Sequence, residues 1–407
     1  MKEFISKHFL LSVYSFVLFI LAFGLIAESG FTYVPFFGLY VVTFYLAYFA
    51  FSKYGANKGI HFFSRFSLSE NNQKILSIGF TAFISIVVIY HLYLLGGCPP
   101  LQAYGEHTAN ELAEIRRNLT ENSSTLMNYA SSFTIKALLP FFLLYFYLKK
   151  KKILFIILFV LGSFYAFSLM QKSYIIAILI PLVVYLLLER KWLFVLANTV
   201  YIVFVVGIMV YITNPDLAEK PIPLEDTTEF ADAIEETQRK PPGSPVLRIA
   251  YGLYERTMLV PGEIVSKWFK VIPEKRPFLY GNGYRIVAKL KGEEFVNYTA
   301  DLYPLVRPSF AKRGLKGNVN VASFMYEYSN FGTIGLIISG IILAFVFLVI
   351  EKIFAAQTKL NMSINAFPVL ILSSGALNTL LFSGGWGLSI LLFILFLGKK
   401  NESDEAH

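Results

Sequence analysis

The chain has 407 residues, 56% of them hydrophobic and only 15% charged, with a formal net charge of +9. A soluble domain carries about 25% charged residues, so the composition excludes an ordinary soluble enzyme and points to a protein that lives in a bilayer. The lone cysteine, Cys98, excludes an intrachain disulfide and a cysteine-built metal site.

Taken in order, apolar runs long enough to matter fall at 9–27, 34–52, 75–95, 133–148, 153–170, 174–188, 193–213, 329–350, 363–382 and 385–398. Runs near 20 residues are the mark of transmembrane helices. In lipid each span has to satisfy its own backbone hydrogen bonds, which a helix does. The runs are too uniform for the alternating strands of a barrel. The first run is too long for a cleavable signal peptide and no A-x-A-like site follows it, so it is expected to remain as a span. The expected fold is an all-α polytopic integral membrane protein of about ten transmembrane helices. The turn Ser383-Gly384-Gly385 leaves open whether the last run crosses or re-enters.

Lys and Arg counts set the orientation. With the N-terminus inside, the inner segments hold 16 basic residues, while the short and medium outer loops hold three, Arg116, Arg117 and Lys172. Both termini are therefore expected in the cytoplasm. The organisation that follows is a block of spans over 1–213 with a medium external loop at 96–132, a large external loop at 214–328, and closing spans with a cytoplasmic tail over 329–407.

The large loop changes character along its length. Residues 214–236 are rich in proline and carry eight acids against Lys220, whereas residues 237–328 carry 15 bases against seven acids. A basic surface beside a membrane suits an anionic ligand. From Val246 to Phe269, Ile249, Leu253, Arg256, Val260 and Ile264 recur at helical spacing. That pattern predicts a helix lying on the membrane surface, bearing Arg248, Glu255, Arg256 and Glu263 and broken near Pro261-Gly262. Gly281-Asn282-Gly283 is a turn signal.

No G-x-x-x-x-G-K-[ST] loop and no G-x-S-x-G elbow occurs. The histidines His8, His61, His91, His107 and His407 show no metal-ligand spacing, and no paired-acid cluster sits in an outer loop. Span interiors hold almost no acids, unlike proton-coupled transporters. The positive signal is arginine: Arg116, Arg117, Arg239, Arg248, Arg256, Arg276, Arg285, Arg307 and Arg313 all fall outside. Guanidinium groups bind phosphate oxygens two at a time and stay charged at every relevant pH. Lys172 sits in a very short turn where solubility demands no charge. Tyr251, Tyr254, Trp268, Phe269, Tyr280, Tyr284, Tyr298 and Tyr303 interleave with the bases, a mixture that suits a glycan. The plainer reading of the same residues is a solvated face and an interfacial aromatic belt.

Three places give the chain a family likeness. Leu95-Gly96-Gly97-Cys98-Pro99-Pro100-Leu101 precedes a loop with Arg116-Arg117; Gln171-Lys172-Ser173 forms a short basic turn; and Asn318-x-Asn320 leads to Tyr328-Ser329-Asn330-Phe331-Gly332-x-x-Gly335. In order and layout the sequence resembles the bacterial O-antigen polymerases of the Wzy type, which join oligosaccharide repeat units. It departs from them in having Tyr326 where relatives often carry an acid, with Glu327 next to it, and in Lys172 where they often carry arginine.

The resemblance implies a GT-C-like glycosyltransferase of the inner membrane that needs neither nucleotide, metal nor other cofactor. Its substrate would be a glycan on undecaprenyl pyrophosphate, transferred to another lipid-linked unit at the periplasmic face. Its partners would be membrane lipids and a polysaccharide chain-length regulator, with no nucleic acid. Such a site needs cations against the departing pyrophosphate and a base for the acceptor hydroxyl. The residues expected to meet the pyrophosphate are Arg248, Arg256, Arg285, Arg307 and Lys172, closed by Arg116 or Arg117. Arg313, Tyr284 and Tyr328 complete the substrate contacts. Glu263 and Glu327 rank ahead of Asp301 as the base. Two alternatives stay open: an O-antigen ligase acting on lipid A core, a family that usually relies on a loop histidine which 214–328 lacks, and a flippase or transporter of the same lipid.

Overall fold

The computed structural model describes residues 7–55, 66–102, 115, 124–213, 247, 251–252, 254–312 and 317–398. Among the described residues every regular element is helical. The long helices are α1 Phe9–Ser29, α2 Val34–Gly55, α3 Glu70–Leu94, α4 Thr125–Leu148, α5 Lys152–Ser168, α6 Lys172–Leu188 and α7 Trp192–Thr213. There follow α8 Val260–Val271, α9 Arg285–Lys291, α10 Ser323–Ile353, α11 Thr358–Ile371, α12 Leu377–Leu381 and α13 Trp386–Leu397.

Seven helical segments are long and apolar enough to cross a membrane: α1, α2, α3, α4, α7, α10 and the α12–α13 pair. The chain is an α-helical multi-pass membrane protein. The other three expected spans correspond to shorter helices. α5 and α6 have 17 residues each, about 25 Å at 1.5 Å per residue, just under the roughly 30 Å of a hydrocarbon core. The expected run 363–382 is not one helix. α11 stops at Ile371, where the amides of Leu372, Ser373 and Ser374 each turn back onto the carbonyl three residues earlier. A Ser-Ser-Gly stretch follows, and α12 begins only at Leu377.

Contacts sort the helix ends into two groups, as alternating spans require. At one end, Glu351 of α10 accepts from the amide of Leu10 at 3.0 Å and from the Tyr48 hydroxyl, and His8 Nδ1 lies 2.7 Å from that hydroxyl. The carboxylate thereby satisfies a free N–H in the first turn of α1, where the helix dipole favours negative charge. Lys359 pairs with Glu189 at 2.6 Å at this same end, and the Leu68 amide meets the Leu395 carbonyl. At the other end, Glu28 faces Lys267 at 3.9 Å, and Ser132 donates to the Ser383 carbonyl at 3.0 Å.

Two close backbone approaches shape the core. α10 lies along α2, with Gly340 against the backbone of Tyr40 and Phe44 and Phe324 stacked on Tyr40 at 4.3 Å. α8 crosses α1 at Gly24 and Gly262: a Cβ on Gly262 would stand 2.3 Å from the Leu21 carbonyl oxygen, and one on Gly24 would stand 2.3 Å from that of Leu259. The helix expected on the membrane surface is packed into the protein. Nine of the 12 residues of α8 are buried, because the two glycines let it sink between its neighbours. Nor do Pro261 and Gly262 break it. Pro261 sits in the first turn, where its missing N–H costs nothing, behind a π-turn at Glu255–Leu259.

The stretch Tyr328 to Gly335 has a clear physical role. α10 changes direction at Gly332, whose φ of +59° favours glycine. A Cβ on Gly335 would lie 2.0 Å from the Glu327 carbonyl oxygen. The first segment of α10, up to Phe331, is thereby turned against the loops that build the site.

Candidate functional site

Helix α8 is the common wall of two neighbouring cavities. Positions 263 and 267 share one helical face at i, i+4 spacing. Lys267 Nζ lies 2.9 Å from Glu263 Oε1, and Arg307 Nη1 reaches the same oxygen at 3.3 Å. Glu28 closes the corner from α1. Glu263 and Lys267 are buried, at 3% and 1% exposure, whereas a quarter of the Arg307 side chain is exposed. Buried ions need partners, and this corner supplies them.

Arg307 follows the short helical turns Tyr298–Asp301 and Tyr303–Val306. It opens onto a cavity of about 350 Å³ walled by Val260, Ile264, Tyr303, Asn318, Val319 and Asn320. A guanidinium anchored on its inner side by a buried carboxylate, with its outer side facing a cavity, is arranged to meet an anion.

The second cavity, of about 260 Å³, shares Asn320 with the first. Trp268 of α8, Tyr284, Tyr298 and Tyr326, the amides Asn297, Asn330 and Asn378, and Thr299 and Thr379 contribute to its wall. Asn330 holds this wall in shape. Its Oδ1 accepts from the amides of Gly281 and Gly283, both at 3.1 Å, while its Nδ2 donates to the Tyr326 carbonyl. The Gly281-Asn282-Gly283 turn is thus present and pinned onto α10.

Beside this cavity the Tyr284 hydroxyl donates to Glu327 Oε1 at 3.3 Å. Glu327 Oε2 is shielded from solvent and has no hydrogen-bond partner among the described residues. Burial first, and then the Glu327 carboxylate, push the Tyr284 phenol above its ordinary range, so the resting hydroxyl is protonated.

The expected site residues divide clearly. Glu263 and Arg307 come together at the first cavity, and Tyr284 and Glu327 at the second. Arg256 lies exposed on the π-turn and is not in either wall. Arg285 is exposed and sits 5.0 Å over the Phe295 ring, so it reaches the second cavity only through that ring. Asp301 is exposed. Lys172 begins α6 and is half-buried. Tyr328, expected among the ligand contacts, is packed into the core instead: its hydroxyl donates to the Ile272 carbonyl at 3.1 Å and its ring meets Phe269 edge-on. The expected contacts Arg116, Arg117, Arg248 and Arg313 lie outside the described residues.

Sequence reasoning passed over Lys267, although a base four residues after Glu263 was a readable signal. It also passed over Glu28, Asn378 and Thr379, which only tertiary packing brings to the site. His91 proves to be a linker between helices: its Nδ1 lies 2.6 Å from the Tyr165 hydroxyl, which donates to Ser131 at 2.7 Å. Among the described residues no group of three His, Cys, Asp or Glu could hold a metal ion. Compared with known proteins, the chain matches no family model, no curated protein and no solved structure.

Proposed function

We propose that this chain is a membrane glycosyltransferase that polymerises oligosaccharide repeat units carried on undecaprenyl pyrophosphate. In this reading it has ten spans and a GT-C-like layout, sits in the bacterial inner membrane with both termini in the cytoplasm, and works at the periplasmic face. The observation that carries the proposal is the adjoining of two cavities along α8, one holding the anchored cation Arg307 and the other walled by amides and aromatic rings. A lipid-linked sugar phosphate has those two chemistries in one molecule.

Transfer then proceeds as follows. The acceptor hydroxyl attacks the anomeric carbon of the donor. A new glycosidic C–O bond forms as the bond to the pyrophosphate oxygen breaks, and the electron pair leaves on the pyrophosphate. Arg307, with Lys267 behind it, offsets the growing negative charge from a fixed position, so little reorganisation is needed. The acceptor proton passes to the Tyr284 oxygen as the Tyr284 proton moves to Glu327. Glu263 acts as a positioning residue, gripping both cations.

Deleting the gene and resolving cellular glycans on a gel tests the reading. Loss of the ladder with one repeat unit still delivered is the expected result. Long chains that accumulate without reaching lipid A would mean a ligase, and loss of all periplasmic glycan would mean a flippase.

A further inference from the structure

We infer that the cavity beside Trp268 is a recess for one uncharged sugar ring, which makes the enzyme select a neutral residue over an acidic one at this position. The inference rests on the transferase reading and adds which sugars the site accepts.

Three observations carry it. The first is size. About 260 Å³ falls below the roughly 300–1,000 Å³ of pockets for drug-sized ligands, room for one ring and not for an oligosaccharide. The second is charge. Among the described residues the wall holds no Asp, Glu, Lys, Arg or His, in contrast to the Arg307 cavity next door. A carboxylate brought into such a recess would lose water and meet no cation in that wall, which disfavours it. The third is the set of amide side chains in the wall, Asn297, Asn320 and Asn378, which can meet the hydroxyls of a ring.

These groups suit a polyhydroxylated ligand. Asn297 and Asn378 use their carbonyl oxygens locally, accepting from Thr299 and from the Thr379 amide. Their amide nitrogens are left to donate to sugar oxygens. Asn320, shared by both cavities, offers both a donor and an acceptor where the sugar would approach the anchored cation.

The test uses the full chain in lipid nanodiscs and ligand-observed NMR. The probes are the methyl glycosides of glucose, galactose, N-acetylglucosamine and glucuronic acid. At least one neutral glycoside should bind saturably in the millimolar range, about tenfold or more tighter than the glucuronide. Asn320→Ala should weaken that binding. Asn378→Ala at the exposed rim provides a second variant and should weaken it as well. Equal or tighter binding of the glucuronide, binding unchanged by both variants, or no binding of any neutral probe would each overturn the inference. The glycan ladder separates this from the parent reading. A ladder that depends on the gene while no neutral glycoside binds sinks the recess alone. A ladder unaffected by gene deletion sinks the transferase reading whatever the glycosides do.

Discussion

The two faces of α8 solve opposite problems with the same backbone. On one face Glu263 and Lys267 bury charge and have to neutralise it, which they do with each other, Arg307 and Glu28. On the other face Trp268 lies buried behind a cavity whose wall, among the described residues, holds no charged side chain. Buried charge enforces geometry, because each ion removed leaves another exposed to its desolvation penalty. Buried neutral polarity enforces chemistry, because its cost is small until a ligand of the wrong kind arrives. In the proposed transferase, one helix would separate the binding of a leaving group from the choice of sugar.

The largest effect is expected where the neutral side meets a carboxylate. Glu327→Gln keeps the size of the side chain and removes its capacity to take a proton. Chain extension should fall by about 100- to 10,000-fold, measured as the rate of polymer formation by the purified protein. Tyr284→Phe should fall less, since a water can replace the phenol. Full activity in the glutamine variant would remove Glu327 from the mechanism and return the base to Glu263 or Asp301.

Next comes the charged face. Glu263→Ala leaves Lys267 buried without its nearest partner and should destabilise the protein by about 3–5 kcal/mol, read as a lowered Tm in detergent. The double change Glu263→Leu with Lys267→Met should recover most of the Tm, because apolar groups of similar size tolerate burial. It should not recover chain extension, since Arg307 has lost its anchor. Recovery of both would show that the corner only holds the fold together.

Arg307→Ala isolates the anion contact. Removing one preorganised donor of this kind costs about 100- to 1,000-fold in rate, with a smaller loss of Tm than in Glu263→Ala, because Lys267 stays on Glu263 and the Arg307 side chain is partly exposed. Arg307→Lys should retain part of the rate, keeping the charge while losing the fork.

How much of this could be read from the sequence follows from what each residue has to contact. The long helices were legible because a span declares itself by its own apolar residues, as in α1 and α10. The depth of α8 was not. Glu263 and Lys267 look like surface residues in the sequence, and what lets them sink is Gly24, far away on α1. The stretch ending at Gly335 was legible as a motif, and the structure supplies its cause in the Gly332 turn and the grip of Asn330 on Gly281 and Gly283. Arg307 and Glu263 were named from charge alone. Arg256 was named for its charge and Tyr328 for its place in the motif, yet one points outward and the other into the core, a distinction that residue type does not encode.

The smallest effect is expected at Arg256, and it sharpens the comparison most. If positive charge anywhere near the bilayer sufficed to hold a pyrophosphate, Arg256 would serve as well as Arg307. They differ in their surroundings. Arg307 is held by a buried carboxylate at 3.3 Å and opens onto a cavity, while Arg256 is exposed on the π-turn ahead of α8. An exposed charge is screened and free to move, and is worth less than about 1 kcal/mol, roughly a fivefold change in rate. Arg256→Ala should therefore extend chains at nearly the normal rate, and raising the salt concentration should shrink the remaining difference further. A loss comparable to that of Arg307→Ala would place the anion at the N-terminal approach to α8, and the division between its two faces would have to be redrawn around that point.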